Sequence, residues 1–138
     1  LVPVLGNALF NMGLARFSFI FWAVYKTGIP LDTTIKLAVK NCGNTIVKAM
    51  VAPGVQTVQK GQPVSAGFSG KLPHDFRSTW AVGEKSGSLE RTALGLARQK
   101  SGSAEDGFKW FAMLFARTME GCIFIYCAYW IISKFEML

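Results

Sequence analysis

Apolar residues recur along most of the chain with the period of a helix, and glycine or proline interrupts them at short intervals. Phe17, Ile20, Phe21 and Val24 stand at i, i+3, i+4 and i+7, which predicts a helix over about 14–27. Phe17, Phe21 and Trp22 read as its core side. Gly28 follows as the residue that reverses the chain, with Pro30 as a stop. Asp32 is placed to cap a second helix with the stripe Ile35, Ala38, Val39 and Cys42. Gly43 ends it, and Asn44 is placed to cap a third helix carrying Ile46 or Val47, Met50 and Val51.

Pro53-Gly54 falls inside that third helix. An interior proline removes one backbone hydrogen bond and costs about 3 kcal/mol, so a kink or break is expected there. Val55 and Val58 continue the stripe to Gly61. Pro63 suits the first turn of a short helix with Val64 and Phe68, closed by Ser69-Gly70. Pro73 opens a fifth helix with Phe76, Trp80 and Ala81 on one side, and the stretch from Gly83 to Gly87 breaks the chain again. Ser88 is placed to cap a sixth helix with Leu89, Ala93, Leu96 and Ala97. Ser101-Gly102-Ser103 and Glu105-Asp106-Gly107 read as a polar hinge. No stretch alternates like a strand, and no repeat is evident. The expected fold is all-α: an antiparallel bundle of about six short helices followed by a C-terminal transmembrane helix. Its divisions are a lead-in segment over 1–13, the bundle over 14–107 and the last helix over 108–138.

Residues 121–133 carry no charge, but at 1.5 Å per residue they reach only about 20 Å, short of a bilayer core of about 30 Å. Extending back to Phe111 gives enough length and takes in Arg117 and Glu120, which can pair at i, i+3, or Arg117 can reach the headgroups. The alternative is a buried terminal helix.

Composition narrows the class. In 138 residues, 51% are hydrophobic and 17% charged, which excludes intrinsic disorder. Three cysteines, Cys42, Cys122 and Cys127, are too few for a disulfide scaffold and read as reduced thiols packed as small hydrophobes. The charge is +7, of which residues 1–107 carry +6. A basic portion beside an apolar tail fits a cytoplasmic domain on a membrane anchor, and it fits a nucleic-acid binder equally. Leu1 in place of Met, with no signal-peptide pattern, reads as a piece of a longer protein.

Catalytic constellations are missing. His74 is the single histidine, so neither a two-histidine metal site nor a Ser-His-Asp triad can be assembled in one chain. No glycine-rich loop ends in Gly-Lys-Ser/Thr. Asp75 and Glu84, nine residues apart, are about two and a half helical turns from each other and read as exposed caps. No catalytic residue, cofactor or metal ligand is expected.

The order of the punctuation resembles the type II secretion system F-domain family, the inner-membrane platform proteins of type II secretion and type IV pilus assembly. The resemblance rests on Arg16-Phe17, Gly28-x-Pro30-Leu31, Gly43-Asn44, Gly61 and Pro73 in sequence, and above all on Gly83-Glu84-Lys85-Ser86-Gly87-Ser88-Leu89, similar to the family's G-E-x-S-G-x-L. Glu120 falls where the family has a Glu-Pro near the start of its last membrane helix, with Gly121 in place of the proline. The resemblance implies the second cytoplasmic domain plus the C-terminal membrane segment of a non-enzymatic platform. It implies contact with the assembly ATPase, other inner-membrane components, pilin-like subunits, the bilayer and further copies of the chain, and no nucleic acid. Arg16, Gly28, Pro30, Asn44, Gly61, Pro73, Gly83, Glu84, Gly87, Leu89 and Glu120 are then structural or partner-contact positions. Glu84 is expected to accept backbone N–H groups near the start of the sixth helix. Lys36, Lys40, Arg91 and Arg98 are candidates for an ATPase-facing surface. The competing reading is a soluble basic helical module that binds nucleic acid.

Overall fold

Helix α1 (Val2–Tyr25) is the element around which the others assemble. In the computed structural model residues 2–136 are described, with side chains from 5 to 135, and over these the chain forms helices and no strand. After α1 come α2 (Leu31–Asn41), α3 (Thr45–Val51), α4 (Pro53–Gln59), α5 (Val64–Gly67), α6 (His74–Lys85) and α7 (Leu89–Glu136). The all-α class is as expected. Leu1 and residues 137–138, at the ends of the expected outer segments, lie outside the described residues.

Leu14, Phe17 and Phe21 of α1 are fully buried, as their spacing required. They meet Ile35, Ala38 and Val39 of α2, Val47 and Val51 of α3, and Phe76 and Trp80 of α6 in one core. Trp80 is its centre, with ring centroids 4.8 Å from Phe21, 5.5 Å from Phe17, 5.6 Å from Phe68 and 5.8 Å from Phe76. Rings at these separations add edge and stacking attraction to the burial itself.

Several expectations are corrected. The first helix does not begin near residue 14: the chain is already helical from Val2, and Ala8 in this lead-in packs against Gly107 of α7. Asp32 does not cap α2. Pro30 stands in the cap position, and Asp32 sits in the first turn with its carboxylate 3.4 Å from Lys36. Residues 83–85 stay helical, so the break before the last helix narrows to Ser86-Gly87-Ser88. The expected kink at Pro53 is present as a junction: Ala52 separates α3 from α4. The junction also makes room, since Gly67 of α5 lies so close that a Cβ on it would stand 2.7 Å from the Pro53 carbonyl oxygen.

The largest difference lies at the expected hinge. Residues 101–107 do not bend; α7 is one helix of 48 residues, about 72 Å long. The sixth bundle helix and the tail are thus one element. Its first part runs antiparallel to α1, with Leu94 beside Trp22 and Gly107 beside Ala8. Beyond Phe108 it leaves the bundle, and from there to Phe135 every side chain except that of Phe111 is exposed. Among the described residues two helices are long and apolar enough to cross a membrane, and they differ in kind: α1 is a partly buried core helix, whereas the apolar part of α7 is bare.

Candidate functional site

The first corner to consider joins α1, α2 and α3. Asn44 has an extended backbone and accepts hydrogen bonds at its Oδ1 from the backbone N–H groups of Ile46 (2.9 Å) and Val47 (3.2 Å). These are two of the donors a helix start leaves free. Its Nδ2 donates to the Leu9 carbonyl of α1 at 3.2 Å. Gly13 is what lets this happen: a Cβ there would fall 2.7 Å from the Asn44 Cβ. Gly43, in the left-handed region at φ +73°, is covered by the Arg16 guanidinium, which is otherwise exposed.

The second corner holds the Gly83–Leu89 motif. Glu84 does not serve the start of α7. Its carboxylate reaches across to α5, accepting the N–H groups of Val64 at 2.6 Å and Ser65 at 2.9 Å. The reason is spatial: α7 starts beyond Gly87 with Leu89 turned into the core, whereas α5 starts beside the middle of the motif with Pro63 supplying no N–H. Gly83 is buried where a Cβ would run into the Thr92 side chain, so α6 and α7 touch backbone to side chain. Gly87 turns the chain at φ +68°.

The remaining motif residues are spread out. Gly28 (φ +82°) and Gly61 (φ +72°) reverse the chain after α1 and α4. Pro30 and Pro73 precede α2 and α6. Glu120 is far from all of them, exposed on the free part of α7. The structure therefore gathers Arg16 with Asn44, and Gly83, Glu84, Gly87 and Leu89 with one another, but it makes no single site of the set.

Asp75 is not a free cap either. It accepts a hydrogen bond from the Lys100 ammonium at 2.8 Å, tying α6 to α7. The Lys100 side chain is only 9% exposed and that of Asp75 54%. The hydrogen bond from Lys100, helped by its charge and opposed by partial burial, holds the Asp75 carboxyl below its ordinary pKa of 3.8. No sequence spacing announced this pair.

One surface feature stands out from the bundle. An apolar groove of about 580 Å³ runs between α1 and α7, lined by Met12, Phe19, Ile20, Leu94 and Phe108 and edged by Arg16 and Arg98. Of the four candidate basic positions, Arg98 borders this groove, Arg91 stands in a smaller hollow beside Trp22, Lys36 is occupied with Asp32, and Lys40 is exposed at the end of α2. The thiols divide: Cys42 packs in the core, while Cys122 and Cys127 are exposed on α7, contrary to the expectation of three packed thiols. Their helix has left the bundle, so no protein surrounds them. Among the described residues no group of three His, Cys, Asp or Glu side chains is placed to hold a metal ion.

This geometry, a bundle tied at its corners and a bare apolar helix continuing from it, has a counterpart in sequence. Over 101 residues the chain is 26% identical to the type II secretion system protein F of Pseudomonas aeruginosa. The likeness is to a secretion-system protein. It takes in 72% of this chain and 25% of that protein, so the chain spans about a quarter of its relative's length. No protein-family model and no solved structure matches the chain.

The structure adds four residues to those the sequence singled out. Gly13, Lys100, Phe19 and Phe108 carried no signal of their own, since each acts through a neighbour distant in sequence.

Proposed function

We propose that the chain is a non-enzymatic part of an inner-membrane component of a type II secretion or type IV pilus assembly machine. Residues up to about 107 form its cytoplasmic bundle, and the rest of α7 anchors it in the membrane. The observation that carries this reading is the continuity of α7, which joins a packed bundle to a bare apolar helix without a linker. The likeness to a secretion-system protein F supports it. So do Arg91, Arg98, Lys100 and Lys109, basic residues within about 20 positions ahead of the bare apolar stretch, which favour the cytoplasmic side.

In this role the bundle receives motion and the membrane helix holds position. The partners are the assembly ATPase, other inner-membrane components and pilin-like subunits. Arg91 and Arg98, exposed on α7, are the basic positions proposed to face the ATPase. The test is co-purification of the full chain, from its own cells in mild detergent, with the assembly ATPase. Recovery of the ATPase with the wild-type chain, reduced at least fivefold by the double substitution Arg91→Glu and Arg98→Glu, is the expected result. No ATPase in the eluate, from cells that express it, contradicts the reading.

A further inference from the structure

This inference rests on α7 crossing a bilayer, as proposed above, and concerns the end of the bundle from which α7 leaves. Lys109 and Trp110, both exposed, open the free part of α7 with the side-chain types expected at a membrane boundary. Ala8 of α1 touches Gly107, which lies about 4.5 Å before Trp110 along the axis. From Ala8 onward α1 runs away from the membrane. Leu9 is thus about 6 Å and Met12 about 10 Å below Trp110, with Arg16 deeper still. A headgroup layer adds about 5–7 Å to each side of the hydrocarbon core, so this end of the bundle stands at headgroup depth.

At this level a hollow of about 480 Å³ opens between α1 and the start of α3, with Leu9, Met12, Arg16, Gly43, Thr45 and Ile46 in its lining. Its apolar side chains stand nearest the membrane. Leu9 is 47% exposed, and Ile46 of α3 is 58% exposed. The start of α3 is held at the level of Leu9 by the hydrogen bond from Asn44 to the Leu9 carbonyl. The cation comes from below. Helical side chains lean toward the start of their own helix, so Arg16 reaches back toward the membrane. Its guanidinium lies against Gly43, where a Cβ would stand 2.9 Å from Nη1. Arg16 belongs to neither of the ion pairs among the described residues, Asp32–Lys36 and Asp75–Lys100. A guanidinium fork of this kind matches the oxygens of a phosphate.

The charge around the hollow has one sign. No Asp or Glu occurs in α1 or between residues 33 and 74, which take in all of α3 and the part of α2 that reaches this corner. Lys40, near the end of α2, and Lys48, one turn into α3, are exposed. The acidic side chains at this depth, Glu105 and Asp106, stand on α7, and Glu105 borders the other groove, between α1 and α7. Basic side chains beside a membrane anchor attract anionic headgroups. A free phosphate would engage the arginine and leave Leu9 and Ile46 in water, whereas a phospholipid engages both. Apolar groups toward the bilayer and a cation below them also repeat the order of acyl chain and phosphate along a lipid. We propose that the corner of α1 and α3 binds an anionic phospholipid of the cytoplasmic leaflet, with its phosphate on Arg16 and its acyl chains against Leu9, Met12 and Ile46.

The test titrates the full chain, in a nonionic detergent, with phosphatidylglycerol and with zwitterionic phosphatidylcholine, and counts bound lipid by native mass spectrometry. Phosphatidylglycerol is expected to bind at least fivefold more tightly. Arg16→Gln removes that preference. Lys26→Gln deletes the same charge at the far end of α1, also at an exposed position, and keeps it. Ile46→Ser changes an exposed side chain on a different helix and weakens phosphatidylglycerol binding at least threefold, a readout independent of Arg16. Equal binding of the two lipids, or equal losses from Arg16→Gln and Lys26→Gln, overturns the site. So does inorganic phosphate that displaces phosphatidylglycerol while Ile46→Ser binds like wild type, the pattern of a free-phosphate site. Alkaline carbonate extraction separates this from the underlying reading. Release of the wild-type chain from membranes sinks the bilayer placement itself. Retention without an Arg16-dependent lipid preference removes only the lipid site.

Discussion

At the scale of single residues, side chains from one helix complete the start of another. Asn44 caps α3 while holding α1, and Glu84 caps α5 from α6. Asn44 was legible, because a capping residue acts on the two or three positions that follow it. That Glu84 would meet backbone N–H groups was legible too, but not whose they are, since its targets lie twenty and nineteen residues upstream. Lys100 was illegible for the same reason. Its burial is tolerable because Asp75 stays charged opposite it, which fixes a pH dependence. A carboxyl held below its ordinary value stabilises the fold above pH 3.8 and loses that contribution as the pH falls through its lowered folded value. Asp75→Asn is expected to lower stability at pH 7 by about 1–2 kcal/mol, a modest loss because the carboxylate is half-exposed. Thermal melts of the full chain in detergent should show the gap between wild type and variant closing below pH 3.8. A gap that does not shrink as the pH is lowered through the acid range contradicts the assignment.

At the scale of elements, the sequence indicated the bundle helices well and misread their last connection. Proline marks the earlier boundaries: Pro30, Pro53, Pro63 and Pro73 each precede or open a helix. After Pro73 there is no proline in the chain, and α7 begins sixteen residues later. Ser101-Gly102-Ser103 looks like a hinge by composition, but serine and glycine each weaken a helix by about 1 kcal/mol or less, whereas proline costs about 3. The apolar residues on both sides and the contact of Gly107 with Ala8 carry the helix through. Gly102 has nothing within 4 Å of where a Cβ would be. Gly102→Ala is therefore expected to stabilise the chain by about 0.5–1 kcal/mol, read by thermal melting. A hinge would gain nothing from alanine, and a loss of stability would show that this stretch is not helical.

At the scale of the whole molecule, α1 starts and α7 leaves at the same end of the bundle, so that end faces whatever receives the apolar helix. The all-α class followed from helical periodicity. The choice between a membrane helix and a buried one did not, because 13 uncharged residues fit either; the exposure of α7 beyond Phe108 weighs for the membrane. The full chain is expected to stay with bacterial membranes through alkaline carbonate extraction, whereas a chain ending at Gly107 should be released. Release of both would make the bare helix a surface that folds onto some other protein.

The absence of a joint in α7 has a mechanical consequence. A rod about 72 Å long cannot absorb a displacement at its waist. Because α7 is packed along α1 as far as Gly107, a tilt of about 10° of the bundle carries the far end, about 42 Å beyond Phe108, through about 7 Å relative to that point. The protein has in this sense the form of a lever with its handle in the bundle: the helix beyond Phe108 follows the bundle it grows from, with no hinge between them.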